Sequence, residues 1–166
     1  SFAMFLASPS ANRSTPWWSK NGVWRIMHTV RYLSFLYPID SDKIFLAGVS
    51  DGATGCYGAA NTIAKPFAGF IAVSGLGGML PHLGMELSAD NLKQRPIYNV
   101  NAGEDHLYPI DLVKKFCNRM REQGVDISCK YYPDEKHGFA YREKEYDALA
   151  SRIRRWHAPA GRTAFS

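Results

Sequence analysis

Ile44-Phe45-Leu46-Ala47-Gly48-Val49-Ser50-Asp51-Gly52 runs an apolar strand straight into Gly-x-Ser-x-Gly. The next residues, Ala53-Thr54-Gly55-Cys56-Tyr57-Gly58-Ala59-Ala60, predict a helix whose small side chains let it lie close to a sheet. Strand, tight turn and helix are the setting in which a serine is raised as a nucleophile. Gly48 and Gly52 are both expected to lack a Cβ because the strand and helix backbones would otherwise collide at the turn. The aliphatic run with Phe45 reads as a fully buried parallel strand. The plainer reading is a strand-to-helix turn that carries a serine by chance.

A serine hydroxyl is almost never ionised, so a nucleophilic Ser50 needs a base to take its proton and a carboxylate to hold that base in one tautomer. A candidate strand, Pro96 to Asn101, leads into Ala102-Gly103-Glu104-Asp105-His106-Leu107-Tyr108-Pro109, which leaves Asp105 just past a strand end. Another, Ile127 to Tyr132, leads into Pro133-Asp134-Glu135-Lys136-His137-Gly138-Phe139 and puts His137 on a loop. The chain order Ser, Asp, His is that of hydrolases built on a nucleophile elbow. In a parallel sheet the carboxyl ends of all strands lie on one edge, so residues after three strands can converge there. His28, His82, His106 and His157 compete for the base, His106 most closely because it follows the acid. Glu104, Asp111 and Asp134 compete for the acid, although Asp111 fits the first turn of the next helix, where a carboxylate offsets the dipole.

With these motifs in order, the chain resembles the α/β-hydrolase superfamily, and within it the serine carboxylesterases and phospholipase/carboxylesterase-like enzymes. The resemblance is carried by Gly48-Val49-Ser50-Asp51-Gly52, by Gly103-Glu104-Asp105 with Tyr108-Pro109, and by His137-Gly138, and spans about residues 2–157. It implies ester cleavage through an acyl-enzyme on Ser50, with His137 as base, Asp105 orienting it and the Asp51 amide supporting the oxyanion. A peptidase of the prolyl-oligopeptidase type has similar motifs. A catalytically dead hydrolase fragment kept as an interaction module is the reading from another class. A second oxyanion donor is normally supplied by a loop after an earlier strand, often His-Gly-Gly-Gly. This chain has no such motif, and Ser8 to Arg13, its only upstream loop, has no glycine. Loss of one such donor costs roughly 2.7–4 kcal/mol of transition-state stabilisation.

Alternating strands and helices predict a three-layer α/β sandwich with a mostly parallel sheet. Strands are expected at 2–7, 44–49, 68–73, 96–101 and 127–132. Helices are expected from Gly22 to Phe35, after Ser50, over 110–123 with Val113, Phe116, Cys117 and Met120 inward, and over 144–157 striped by Tyr146, Leu149, Ile153 and Trp156. Five strands are fewer than the family's sheet has, and residues 2–7 resemble its fourth strand, which lies apart from the elbow strand. The expectation is therefore an N-terminally incomplete hydrolase whose sheet has an open edge, or else a minimal variant. One catalytic domain is expected over 1–157, with a disordered tail over 158–166.

The 166 residues are 46% hydrophobic and 21% charged, enough apolar content for a real core. The net charge of +5 invites a nucleic-acid reading, but the basic residues are dispersed apart from Arg152, Arg154 and Arg155, read as the solvated face of the last helix. A small-molecule ester, and no nucleic acid, is the expected partner. No apolar run is long enough to span a membrane. Ser74-Gly75-Leu76-Gly77-Gly78 fails the dinucleotide fingerprint because Leu80 takes the third glycine position, so no phosphate cofactor is expected. Segment 75–95, with Met79, Leu80, Leu83 and Met85, is expected to form a pocket wall or lid. Trp17 and Trp18 are read either as pocket lining or as a helix anchor. Cys56, Cys117 and Cys129 have no metal-ligand spacing and read as buried free thiols, a weak argument for a reducing, cytoplasmic setting that leaves export open.

Overall fold

The computed structural model describes residues 4–10 and 14–158. Helix α1 (Lys20–Leu36) begins where Ser19 accepts the Gly22 amide at 3.1 Å, an N-cap that satisfies one of the first turn's unpaired donors. It buries Val23 and Ile26. Strand β1 (Phe45–Val49) then turns into α2 (Asp51–Ile63). Strand β2 (Gly69–Val73), a 3-10 segment at Gly77–Leu83, the short α3 (Ala89–Leu92) and strand β3 (Ile97–Ala102) follow. Helix α4 (Ile110–Glu122), strand β4 (Ile127–Tyr132), α5 (Tyr141–Lys144) and α6 (Tyr146–Arg155) complete the order.

The strands form one sheet in the order β1-β2-β3-β4, parallel throughout, with Gly48 opposite Ala72, Val73 opposite Val100 and Asn101 opposite Tyr131. Every residue of β2 and β3 is buried, because helices cover both faces of the sheet centre. Helices α1, α2 and α4 pack on one face around Ile26, Tyr57, Phe70, Ile97 and Val113. Leu149 and Trp156 of the C-terminal segment cover Ile71, Val73, Tyr98 and Val100 on the other. The result is the expected three-layer arrangement with a parallel sheet, and it brings every strand's carboxyl end to one edge.

The sheet has four strands where five were expected. Residues 4–7 form no strand and are exposed, Phe5 meeting the Tyr37 ring at 5.1 Å; residues 2 and 3 of that expected strand lie outside the described residues. Strand β1 is consequently an edge and not fully buried: Ala47 is exposed and the other four residues are half-buried. In segment 75–95 Leu80 is fully buried and Met79 and Met85 pack on the core, while Leu83 is exposed and Gly78, Pro81 and Leu87 help to line a cavity of ≈ 560 Å³ whose lining does not include Ser50. Trp17 and Trp18 act as anchors, lying over Gly55 and Gly58 of α2. The expected last helix is broken in two. Tyr146 points outward and Glu145, just before it, is buried instead, because its carboxylate collects Tyr98 at 2.6 Å, Tyr132 at 2.5 Å and Lys130 at 2.9 Å. Arg152 is not simply solvated: its guanidinium lies 3.4 Å from the centre of the Tyr98 ring. Cys56 and Cys117 are buried free thiols, while Cys129 is half-buried. Of the tail expected to be disordered, Ala158 donates its amide to the Asp42 carbonyl at 3.0 Å and 159–166 lie outside the described residues.

Candidate active site

The turn after β1 holds Ser50 at φ 57° and ψ −120°, a conformation that an L residue takes only when its surroundings compel it. The compulsion comes from both sides. The Ser50 amide donates to the Val73 carbonyl of β2 at 2.9 Å, and the Ser50 carbonyl accepts from Ala53 at 2.9 Å and Thr54 at 3.1 Å as α2 begins. A Cβ on Gly48 would lie 2.1 Å from the Gly52 carbonyl oxygen, so Gly48 must be glycine for the strand to pass the helix. The steric expectation fails at Gly52, where an added Cβ would meet nothing within 4 Å. Asp51 opens α2, so its amide is among the first-turn donors that have no acceptor inside the helix.

Two further loops meet this turn. The Gly103 amide donates to the Tyr132 carbonyl at 2.7 Å and the Glu104 amide to the Glu135 carbonyl at 2.9 Å, binding the loop after β3 to the loop after β4. A Cβ at Gly103 would sit 2.2 Å from the Pro133 oxygen, so only glycine allows this approach. Asp105 is 3% exposed. Its Oδ1 accepts the Leu107 amide at 2.9 Å and the Tyr108 amide at 3.0 Å, which leaves Oδ2 for His137 Nδ1 at 2.8 Å. With the proton on Nδ1 donated to that carboxylate, Nε2 is the accepting nitrogen, and it stands 3.1 Å from Ser50 Oγ.

The structure therefore brings together Ser50, His137 and Asp105, the three side chains singled out from the sequence. The rivals lie elsewhere. His28, His82 and His106 are exposed, His28 stacking on Trp24 at 5.0 Å, and His157 Nε2 lies 2.8 Å from Lys43 Nζ. Glu104, Asp111 and Asp134 are exposed, with Asp111 in the first turn of α4 as expected. Beside the acid loop a cavity of ≈ 330 Å³ opens between Glu104, His106 and Ile110. No cluster of three or more His, Cys, Asp or Glu placed to hold a metal is found among the described residues. No helix among them is long and apolar enough to cross a membrane.

Two functional-looking residues escaped the sequence reading. Glu145 had no signal beyond a carboxylate next to an aromatic. Tyr108 stood in view next to Pro109 in the acid loop, yet nothing in the sequence shows its hydroxyl crossing to Asp51 Oδ1, 3.4 Å away.

A parallel sheet between helix layers, with a serine on a strained strand-to-helix turn and an imidazole and a carboxylate converging from later strands, is the architecture of the α/β hydrolases. The chain belongs to the dienelactone hydrolase family, whose model matches residues 13–159. Among solved structures it is similar to the acylaminoacyl peptidase of Pyrococcus horikoshii, with a TM-score of 0.71 at 16% identity over 87% of this chain and 29% of that one. It is also similar to an esterase of Pyrococcus furiosus, TM-score 0.66 at 16% identity over 87% of this chain and 65% of that one. For SOBER1 of Arabidopsis thaliana the TM-score is 0.60 at 18% identity, over 82% of this chain and 65% of that one. The chain thus spans between 29% and 65% of the length of these structures. A comparison with curated proteins found no match.

Proposed function

We propose that this chain carries the catalytic centre of a serine hydrolase that cleaves a carboxylic ester through an acyl-enzyme. The observation that carries the reading is the continuous hydrogen-bonded line from Asp105 Oδ2 through His137 to Ser50 Oγ, at 2.8 and 3.1 Å. His137 Nε2 takes the Ser50 proton as Oγ attacks the substrate carbonyl, and Asp105 steadies the imidazolium that forms. The oxyanion gathers at the amide of Asp51, at the positive end of α2. His137 gives its proton to the departing alkoxide as the acyl-enzyme forms; it then takes one from a water whose oxygen attacks the acyl carbonyl, and passes it to Ser50 Oγ as the Oγ–acyl bond breaks and the acid leaves. The family's description supports an ester, since a lactone is a cyclic ester. The likeness to an acylaminoacyl peptidase puts an amide into the test beside it.

The test pairs a fluorophosphonate probe with short-chain p-nitrophenyl esters and a chromogenic dipeptide amide. The expected result is labelling and ester turnover in the wild type, both lost in Ser50→Ala, with the amide cut far more slowly. Label that persists in Ser50→Ala would end the serine assignment, and preferential amide cleavage would replace the ester reading with a peptidase.

A further inference from the structure

Tyr108 meets each member of the Ser50 site from a single position. Its amide caps Asp105 Oδ1 at 3.0 Å, its ring centre lies 5.8 Å from that of His137 at an interplanar angle of 33°, and its hydroxyl donates to Asp51 Oδ1 at 3.4 Å. The hydroxyls of Ser50 and Thr54 are neighbours of the same oxygen. The residue is only 9% exposed, and Pro109 behind it starts α4, so its backbone is held between the turn on Asp105 and the helix. Its phenol stays protonated over the working range of an esterase, because burial pushes its pKa up and the carboxylate of Asp51 adds to the rise.

The loops after β3 and β4 are bound to each other through their backbones. Among the described residues, side-chain contacts tie them to the turn that bears Ser50 through His137, which meets Ser50 itself, and through the Tyr108 hydroxyl, which donates to Asp51 and neighbours the Ser50 and Thr54 hydroxyls. Without the second, the bond on which proton transfer depends would also have to keep the loops in place. We propose that Tyr108 is a positioning residue, a clasp whose hydroxyl fastens the acid loop to the first turn of α2 and so keeps the His137 ring within reach of Ser50. This rests on the serine-hydrolase reading. The contact of 3.4 Å is longer than the ordinary hydroxyl bond of about 2.5–3.0 Å, so the clasp is a weak one that the buried ring and the capped Tyr108 amide support.

Tyr108→Phe removes the hydroxyl and keeps the ring, so the fold and its melting temperature should be unchanged. The expected effect is a fall in kcat for p-nitrophenyl acetate of about tenfold, with KM unchanged, and a matching fall in the rate of fluorophosphonate labelling. Asp51→Ala removes the clasp from its other side and should cause a similar fall. The double variant Tyr108→Phe/Asp51→Ala should be no slower than Tyr108→Phe alone, because the bond that Asp51→Ala breaks is already lost with the hydroxyl. Losses that multiply in the double variant, or wild-type kcat in Tyr108→Phe while Ser50→Ala is inactive, would overturn the clasp and leave the hydrolase reading standing. A wild type that neither labels nor turns over ester, or a Ser50→Ala variant that does, would overturn that reading and the clasp with it.

Discussion

The two glycines that flank Ser50, itself at positive φ, do different things. At Gly48 a methyl group would be forced 2.1 Å from a backbone oxygen of the helix, and no flexible side chain is there to move aside. Gly48→Ala is expected to cost about 3 kcal/mol in thermal or urea unfolding and to abolish labelling of Ser50. Gly52→Ala faces open space in the first turn of α2, so its stability should change by less than about 1 kcal/mol, in the stabilising direction if at all. Equal losses at the two positions would show that the turn is not governed by this one close approach. Asp105 allows a sharper substitution. Asparagine there can still accept the Leu107 and Tyr108 amides, but its NH₂ would face His137 Nδ1 and drive the ring proton to Nε2, where Ser50 needs an acceptor. Asp105→Asn should therefore lower kcat by roughly 10⁴ while the protein stays folded, as measured by ester turnover beside circular dichroism.

At the scale of elements, the strands and helices that form the site were legible because their signals are strong and local. The strand at 127–132 and the helix from Ile110 show plain apolar periodicity, and the convergence of Ser50, Asp105 and His137, which follow β1, β3 and β4, comes from the geometry of a parallel sheet. What escaped was set by tertiary pairing. Residues 4–7 have the composition of a strand but pair with no strand among the described residues, and apolarity cannot tell a central strand from an edge. The stripe through Tyr146 failed because a buried carboxylate one residue earlier breaks the helix phase. Burial alone would lift the Glu145 pKa, yet hydrogen bonds from Tyr132, Tyr98 and Lys130 outweigh it and hold the carboxyl below its ordinary value. A carboxyl depressed in the folded state contributes stability above its unfolded pKa and loses it as pH falls through the folded one. Unfolding free energy should accordingly decline below about pH 4.5, the ordinary value for this carboxyl, and Glu145→Gln should flatten that slope in denaturant titrations at a series of pH values. Glu145→Ala strands the buried Tyr98 hydroxyl, while the Tyr132 hydroxyl keeps the Lys144 carbonyl, and should cost about 3 kcal/mol; an unchanged acid slope in the glutamine variant would show that the cluster is not the titrating group.

At the scale of the whole molecule, two exposed features stand out, a strand edge and an aromatic row. Among the described residues β1 is an outer strand of the sheet with an exposed Ala47, and Met4, Phe5, Leu6, Trp24, Tyr32, Phe35, Leu36 and Tyr37 are exposed in the N-terminal third of the chain. Trp24, His28 and Tyr32 stack along one line of α1 with ring centres 5.0 and 6.4 Å apart, so this is an aligned apolar face and not scattered single residues. Exposed strand edges and contiguous apolar patches drive association in water, and a net charge of +5 opposes it only through long-range repulsion that salt screens. The chain by itself is therefore expected to self-associate, more strongly as salt is raised, in light-scattering measurements across a concentration series. Two substitutions separate the contributions. Ala47→Lys places a charge on the open edge and should weaken association if strand pairing drives it, whereas Phe35→Asp should do so if the aromatic face of α1 does. Neither residue touches Ser50, Asp105 or His137, so fluorophosphonate labelling should be retained in both. A wild type that remains monomeric at every concentration and salt would mean that neither the edge nor the aromatic face is sticky enough to act, and that their exposure has no consequence for the isolated chain.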